Sequence, residues 1–485
     1  MIVPDINFAA FLPPFVLLIT SVIAIFFALF ERESTMTALA SLVGLAFALI
    51  VNLALFLQVI TTGETYTSFG LQYISDTASL GFNFVILIGL ALAILMSYDY
   101  LRRTGLEHPE YYPLMLLSST GAMVLAAAGD LIVLLLALEI MSLAVYVLSA
   151  WRQNARESEE AGMKYFLLGA FASAFLIYGI ALIYGATGSF TFTEIAGSLQ
   201  TNGVGPYGLL GSFMVLVGLG FKVALAPFHQ WAPDVYYGAP TAVTGFMSVV
   251  VKAAAFAALL RVTASFFVQM PPVFTQALIV LIVLTLFIGN LGALLQNSVK
   301  RMLAYSAVAH AGYLGLAVLA SGTTGTQAAL WYLTAYAFMN AGAFAVLTLV
   351  TDNNDHGDSL ERLAGLGRSR PLLAAAMTVF LLSLAGIPLL GGFVGKILVF
   401  QAAIQQGYLG LAIFGIITSI VAVVYYVRPV AYMLFREAEY QPVDTKSRTT
   451  GIAIGIAVVA TFALGLFPGW WYRLLSAGQQ VVAGM

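Results

Sequence analysis

The sequence predicts an all-α polytopic membrane protein of about fourteen transmembrane helices. Of its 485 residues, 61% are hydrophobic and 9% are charged, and the mean hydropathy is +0.96. Soluble domains carry about 25% charged residues, so lipid is the solvent that fits this composition. The chain has no cysteine, which excludes disulfides, thiolate-ligated clusters and thiol catalysis. The net charge of −2, without a basic tract, gives no indication of nucleic-acid binding.

Apolar windows between polar breaks predict the individual helices, because a spanning helix needs about 20 apolar residues. The first window has no basic region before it and no small-residue cleavage signal after it, so we expect it to be retained as a helix. The predicted spans are 11–30, 37–59, 77–98, 112–128, 131–150, 163–185, 207–226, 241–261, 275–296, 302–321, 327–350, 372–404, 410–435 and 451–467.

The lysines and arginines predict the orientation. With the N-terminus outside, the alternating loops place fourteen basic residues on the inner side and two, Arg261 and Arg473, on the outer side. This asymmetry follows the positive-inside rule and predicts an even span count with both termini outside. Near the C-terminus, Trp470, Trp471 and Tyr472 predict an interfacial anchor. The inner residues are Arg32, Arg102, Arg103, Arg152, Arg156, Lys164, Lys300, Arg301, Arg362, Arg368, Arg370, Arg436, Lys446 and Arg448.

Ionisable residues also lie inside the predicted spans. They are Glu139, Lys222, Lys252, His310, Lys396 and Arg428. Each charge at a helix centre costs about 2.5–3.5 kcal/mol, so several in one chain indicate a function. We interpret Arg428 as structural, since it lies within reach of the inner interface, and Lys300 as an orientation anchor at a loop. Asp76, Asp99 and Asp130 lie near span ends and are interpreted as caps or interface groups.

Small and hydroxylated neighbours accompany these charges and can hold water beside them. Ser248 and Thr244 precede Lys252 by four and eight residues, which places them on one helical face. Ser306 precedes His310 by four residues, and Tyr313 follows it by three.

Two of the lysines lie beside predicted helix breaks. Pro227 ends a helix just after Lys222, so that this lysine lies at a helix C-terminus, where the dipole favours its charge. Pro388 and the glycines after it break the other helix, which places Lys396 near a helix start, where the dipole opposes charge weakly.

An ammonium in water holds its proton too tightly to pass it on, whereas burial or a moving carboxylate partner can release it. Glu139 is the candidate carboxylate for gating Lys222. The pattern therefore predicts proton movement along lysine, histidine and water. The competing hypothesis is a membrane scaffold whose charges only fix helix packing.

The segment from Gly218 to Phe256 resembles the antiporter-like subunits of respiratory complex I. It reads GLGFKVALAPFHQWAPDVYYGAPTAVTGFMSVVVKAAAF, and further similarity lies in LALEIMSLAVYVL, NSVKRMLAYSAVAHAGYLG and LAGIPLLGGFVGKILVF. Among the paralogues L, M and N, the chain is most similar to N. EAGMKYFLLGAFASAF and PDVYYGAPTAVT resemble N, the lysine at 396 argues against M, and the lack of a C-terminal arm argues against L.

The resemblance implies a role for each site residue. Glu139 and Lys222 would form the charged pair of an input half-channel, Lys252 the central lysine, His310 a connecting residue and Lys396 the output lysine. It also implies two inverted five-helix repeats, about helices 4–8 and 9–13, with helices 7 and 12 discontinuous. The single membrane domain would then divide into N-terminal helices (1–110), a first repeat (111–261), a second repeat (275–435) and a last helix with its tail (451–485).

The resemblance implies a proton-translocating subunit of NADH:quinone oxidoreductase, or of a relative that takes electrons from ferredoxin. It places no cofactor in this chain and expects flavin, iron–sulfur clusters and quinone in partner subunits. The expected partners are other membrane subunits, including M and neighbours of the K, A and J type, with membrane lipid and protons. The expected location is the bacterial inner membrane. The alternative is a subunit of a multi-subunit cation/proton antiporter or a membrane-bound hydrogenase.

Overall fold

The long apolar runs form helices because lipid offers no partners for backbone N–H and C=O groups, which a helix satisfies internally. The computed structural model describes residues 6–31, 33–153, 155–352, 355, 357–438, 445–469 and 473. Arg32 and the predicted anchor residues Trp470, Trp471 and Tyr472 lie outside the described residues. The α-helices are α1 (Phe8–Phe30), α2 (Thr35–Thr62), α3 (Thr77–Thr104), α4 (Tyr111–Ala126), α5 (Leu131–Ser149), α6 (Arg156–Thr187), α7 (Phe192–Asn202), α8 (Pro206–Val223), α9 (Trp231–Gly238), α10 (Thr241–Phe246), α11 (Lys252–Ser265), α12 (Pro272–Leu294), α13 (Val299–Ala320), α14 (Gly322–Val350), α15 (Leu360–Leu363), α16 (Leu366–Ser369), α17 (Pro371–Ala385), α18 (Gly391–Gln405), α19 (Leu409–Phe435) and α20 (Arg448–Leu466).

Each predicted span corresponds to a helix or a broken helix, and an all-α polytopic membrane protein is confirmed. Within the described residues, twelve helices are long and apolar enough to cross a membrane. The shorter α4 matches the fourth predicted span, and α17 with α18 matches the twelfth. The eighth span comprises α10, a π-helical segment (Met247–Val251) and α11, and it continues to Ser265 rather than ending at 261. The division into two inverted repeats stays a prediction.

The helices that carry Lys252 and His310 lie at the centre of the bundle. The most apolar stretch of the eighth span is 100% buried, and those of α13 and α14 are 94% buried. In α1, α2 and α6 the buried share is 33%. The outer helices therefore present apolar side chains to lipid, while the central helices are surrounded by protein.

Several elements lie outside the predicted spans, namely a hairpin, α7, α9, α15 and α16. Tyr66–Ser68 and Tyr73–Ser75 form an antiparallel hairpin between α2 and α3. In the turn, Phe69, Gly70 and Leu71 have φ angles of 56°, 64° and 71°. Of these three residues, only glycine adopts such angles without strain. The second element, α7, lies between the sixth and seventh spans and is too short and too polar to cross a membrane.

Two of the three aspartates near span ends, Asp76 and Asp130, serve as helix caps, as predicted. Asp76 forms a capping box at the start of α3, where its carboxylate accepts a 2.7 Å hydrogen bond from the Ser79 N–H. Its carboxylate also pairs with Arg261 at 2.9 Å, which joins α3 to α11. Asp130 caps α5, and Asp99 accepts a hydrogen bond from the residue that caps α20, Ser447.

Replacing Asp76 by alanine is expected to lower the stability of the folded subunit by about 2 kcal/mol, since it removes a cap and leaves the partly buried Arg261 unpaired. Thermal denaturation of the purified complex should show a lower midpoint for this subunit. Glu64→Ala, an exposed change on the neighbouring loop, is the control. Equal midpoints for the two variants would contradict the expected role of the cap.

Candidate functional site

The five candidate residues lie inside the helical bundle. Four are almost fully buried: Lys222 and Lys252 are each 3% exposed, Lys396 is 4% exposed and His310 is 1% exposed. Glu139, on α5, is partly buried. Four of the five candidates are therefore enclosed by protein, and the role of all five in proton transfer stays a prediction.

Arg428 and Lys300 were not assigned to the site, and the structure agrees with the interpretation of only the first. Arg428 donates hydrogen bonds to the carbonyl of Gln296 and the side chain of Asn297, which fits the structural role expected for it. Lys300 was interpreted as an anchor at a loop, and this was wrong. Lys300 lies in the first turn of α13 and is 2% exposed. Its Nζ donates hydrogen bonds to the buried carboxylate of Asp355 and to the carbonyl of Ala239, which compensate its burial.

Lys222 lies in the last turn of α8, which ends at Val223 as the position of Pro227 predicts. The left-handed conformation of Ala224 turns the chain away from the helix axis, and the N–H of Leu225 closes the end by bonding to Gly220 O at 2.8 Å. The freed N–H of Ala226 donates to Thr285 Oγ1 at 2.8 Å. The broken helix is thus stabilised by satisfied backbone groups, and it places Lys222 at a helix C-terminus, where its positive charge is favoured.

Aromatic rings surround the Lys222 ammonium. Its Nζ has no hydrogen-bond partner in the described protein and lies 4.8 Å from the ring centroid of Tyr165 and 5.3 Å from that of Tyr146. Both distances are within cation–π range. Trp231 stacks on Tyr165 at 4.4 Å with an interplanar angle of 6° and fixes that ring. The amine is therefore held against these two ring faces.

A cavity of about 10 Å³ lies beside Lys222 and reaches Ser173. This volume is close to the minimum that holds one water molecule. Ser173 donates a hydrogen bond to Glu139 Oε1, so this serine contacts the carboxylate and also lines the cavity beside the amine. Glu139 and Lys222 form no direct ion pair within 4.0 Å, which leaves room for a proton to pass through an intervening hydroxyl or water.

Lys396 lies on α18, immediately after the second break. Its Nζ donates 2.8 Å hydrogen bonds to Ala385 O, at the end of α17, and to Ser419 Oγ on α19. The sequence predicts that Lys396 lies near the start of a half-helix, and this is confirmed. The prediction considered only the dipole of α18, which opposes the charge of Lys396. The ammonium also folds back onto the C-terminal carbonyl of α17, where positive charge is favoured.

Lys252 lies at the end of the π-helical segment that precedes α11. Its Nζ donates a hydrogen bond to Ala307 O on α13 and lies 5.5 Å from the ring centroid of Tyr336. The π turn changes the angular spacing of side chains. The hydroxyls of Ser248 and Thr244 donate to the backbone carbonyls of Gly245 and Tyr236, and a polar face shared with Lys252 stays a prediction.

His310 is held between two tyrosine hydroxyls. Its Nδ1 lies within hydrogen-bond distance of Tyr332, and its Nε2 lies 3.0 Å from the hydroxyl of Tyr426. Tyr426 in turn bonds to Ser306, so the predicted neighbour Ser306 reaches His310 through a tyrosine. Both ring nitrogens can therefore exchange a proton with a neighbouring group.

Tyrosine rings connect His310 to both nearby lysines. The Tyr336 ring lies 5.0 Å from the His310 ring and also faces Lys252. The Tyr313 ring lies 5.8 Å from His310 and 5.1 Å from the Lys396 ammonium. We call Tyr313, Tyr332, Tyr336 and Tyr426 the tyrosine cluster.

The structure thus forms two groups from the five candidates. Glu139 and Lys222 make one group, and Lys252, His310 and Lys396 make the other. Among the described residues, no hydrogen bond or ion pair directly joins a candidate of one group to a candidate of the other. Except for Tyr313, the tyrosine cluster was missed in the sequence. The available signal was that Tyr332, Tyr336 and Tyr426 lie within apolar spans, where a purely apolar role does not require a phenol hydroxyl.

Residues 128–422, which contain all five candidates, match the family described as NADH:quinone oxidoreductase/Mrp antiporter, TM. The NADH-quinone oxidoreductase subunit N of Trichlorobacter lovleyi is 46% identical over 426 residues, which covers 87% of this chain and 86% of that relative. The chain belongs to the NADH-quinone oxidoreductase subunit N family.

Solved structures agree with membership of the subunit N family. A chain of respiratory complex I from Thermus thermophilus superposes with a TM-score of 0.82 and 40% identity, over 96% of this chain and 100% of that one. A chain of the membrane-bound sulfane sulfur reductase, an archaeal respiratory membrane complex, superposes with a TM-score of 0.87 and 26% identity, over 98% of both chains. The fold of the subunit N family therefore also occurs in another respiratory membrane complex.

Proposed function

We propose that this chain is the proton-translocating membrane subunit N of an NADH:quinone oxidoreductase. The observation that carries the proposal is the group formed by Lys252, His310 and Lys396, three buried bases joined through tyrosine rings and hydroxyls in a chain of this family. Bases that are costly to bury and that lie within reach of one another are typical of proton relays in membranes.

The geometry supports a defined task for each group. Ser173 orients the Glu139 carboxylate beside the cavity that Lys222 lines, so a change in their separation would alter the proton affinity of the amine. Lys252 and Lys396 each hold a proton against a backbone carbonyl, Ala307 O and Ala385 O. Between them, His310 accepts a proton at one ring nitrogen and releases one from the other.

The proposal includes the setting of the subunit. The redox reaction would take place in partner subunits that hold flavin, iron–sulfur clusters and quinone, and M and K-, A- or J-type subunits would be neighbours in the membrane. The chain would lie in a bacterial inner membrane with both termini outside. Relatives of 41–46% identity that are named subunit N support this reading over an antiporter or hydrogenase module.

Lys222→Met is the sharpest test of the proposal. The Lys222 ammonium makes no hydrogen bond, and methionine fills a similar volume, so the fold should tolerate the change. We expect the complex to assemble and its proton pumping in liposomes to fall by about tenfold or more, because a proton carrier is lost. Dye-monitored acidification, divided by the amount of assembled complex, measures the effect.

Lys446→Met, an exposed change, is the matched control and should pump normally. If Lys222→Met assembles and also pumps at the rate of the unaltered complex, the charges only fix helix packing and the proposal fails.

Tyr426→Phe tests the contact of His310 with the tyrosine cluster. The ring remains in place, but Nε2 of His310 loses its partner, which costs about 1 kcal/mol. We expect pumping to fall about threefold or more with little loss of stability, as one hydroxyl of the relay is removed. The same assay applied to Tyr207→Phe, an exposed tyrosine, should give the unaltered rate. Equal rates for both variants would exclude Tyr426 from the relay.

A further inference from the structure

Asp355 is a buried carboxylate outside the relay. It follows α14 and is 3% exposed. Its φ of 58° lies in the left-handed region, which aspartate tolerates better than most residues. A buried charge is retained only when partners compensate its desolvation, so the groups around Asp355 decide what it does.

Three separate elements bond to this carboxylate. Thr241, at the start of α10, donates through its N–H at 3.1 Å and through its hydroxyl at 2.7 Å. Lys300, in the first turn of α13, donates from Nζ at 3.1 Å. Arg152, which follows α5, forms an ion pair at 3.6 Å. We call these four residues the Asp355 junction.

The junction stays ionised. Burial raises the pKa of Asp355, but the ammonium of Lys300, the hydroxyl of Thr241 and the guanidinium of Arg152 lower it, and the pKa lies below its ordinary value. The carboxylate therefore remains negative at neutral pH and attracts both cations continuously.

Each element held by the junction leads to a relay residue. The helix that begins at Thr241 carries Lys252, α13 carries His310, and α5 carries Glu139. At about 1.5 Å per residue, the relay groups lie roughly 15–20 Å along their helices from the junction. Asp355 is therefore too distant to exchange protons with them directly, and any effect on them acts through the helices.

The helices of Lys252 and His310 are joined at two levels. Midway, Lys252 Nζ bonds to Ala307 O, and at one end Thr241 and Lys300 share the Asp355 carboxylate. The π-helical segment lies between these two levels. Such segments are rare and often occur at functional sites. The shared contact of Thr241 and Lys300 with Asp355 thus limits how far the π-helical segment can shift relative to α13.

We propose that Asp355 is a positioning residue, which sets the alignment of the three relay helices and keeps Lys252 within reach of Ala307. This inference rests on the proposed function for its effect on pumping, but the alignment itself can be measured without it. A purely electrostatic role, in which Asp355 only neutralises buried cations, makes a different prediction.

The test compares Asp355→Asn with the double variant Asp355→Asn/Lys300→Met in the intact complex. The single variant leaves Lys300 without its carboxylate partner, whereas the double variant removes both members of the pair. Hydrogen–deuterium exchange with mass spectrometry reports the opening of residues 241–252 and 299–307, and acidification of liposomes reports pumping. Asp352→Asn, which breaks an exposed ion pair in the same segment, is the control.

We expect both Asp355 variants to show exchange at least about tenfold faster in these two segments, with pumping reduced about threefold or more, and the control to match the unaltered complex. If the double variant restores both exchange and pumping, Asp355 only balances charge and the proposal is overturned. Unchanged exchange in both variants overturns it whatever the pumping rate. Faster exchange in a complex whose Lys222→Met variant pumps normally would support the alignment while refuting the proposed function.

Discussion

Replacing Lys396 by methionine is expected to abolish proton pumping and to destabilise the second broken helix. The Nζ of Lys396 is the only described side-chain donor to Ala385 O, the last carbonyl of α17, and it also bonds to Ser419. Methionine leaves that buried carbonyl without this partner, at a cost of about 1–3 kcal/mol. Removal of the base should reduce pumping by about tenfold or more.

Two further variants separate these effects. Lys396→Arg keeps a cation that can bond to Ala385 O but holds its proton permanently, so it should retain more thermal stability than the methionine variant while pumping equally poorly. Lys446→Met again serves as the exposed control. Pumping by Lys396→Arg at the unaltered rate would show that only the positive charge matters, and it would remove Lys396 from the relay.

Replacing Gly392 by alanine is expected to have the largest effect on folding. A Cβ atom at this position would lie 1.9 Å from the carbonyl oxygen of Ser383, far inside contact distance, and backbone cannot rotate away as a side chain can. The N–H of Gly392 also donates to Ser383 Oγ at 3.1 Å. The substitution must separate α17 from α18, at a cost of about 3 kcal/mol or more.

Expression of the assembled complex, measured by native electrophoresis, and its thermal midpoint would report this loss. Gly410→Ala is the matched control, since an added Cβ there meets nothing within 4 Å and α19 should gain slightly in helix propensity. A Gly392→Ala complex with unaltered yield and midpoint would show that the close contact of the two half-helices is not required.

The sequence predicted most of the fold because lipid imposes a simple rule. Backbone groups in a membrane must bond within a helix or a barrel, so long apolar runs indicate helices directly. The helix breaks were also readable, since Pro227 and Pro388 interrupt otherwise continuous runs. The burial of Lys222 and Lys396 followed from the same reasoning, as no loop is available to place them in water.

The remaining features depend on contacts between distant segments. Nothing in MSVVV indicates a π turn, and the segment packs against α3 and α14, which are distant from it along the chain. The partners of His310 come from α14 and α19, which lie 22 and 116 residues away along the chain. Lys300 was misplaced for the same reason: its buried carboxylate partner, Asp355, lies in a short segment with no apolar pattern to predict its position.

The pair of hydroxyls around His310 has a consequence for the direction of flow. A ring that contacts a tyrosine hydroxyl at each nitrogen can receive a proton at either nitrogen and give one up from the other. Under the proposed function, transport through this segment would therefore be reversible, and the sign of the net current would be set by energy supplied elsewhere. At about 2.3 kcal/mol per charge for each 100 mV, a sufficiently large membrane voltage would then drive protons backward along the same groups, and in the proposed complex it would push electrons uphill in the partner subunits.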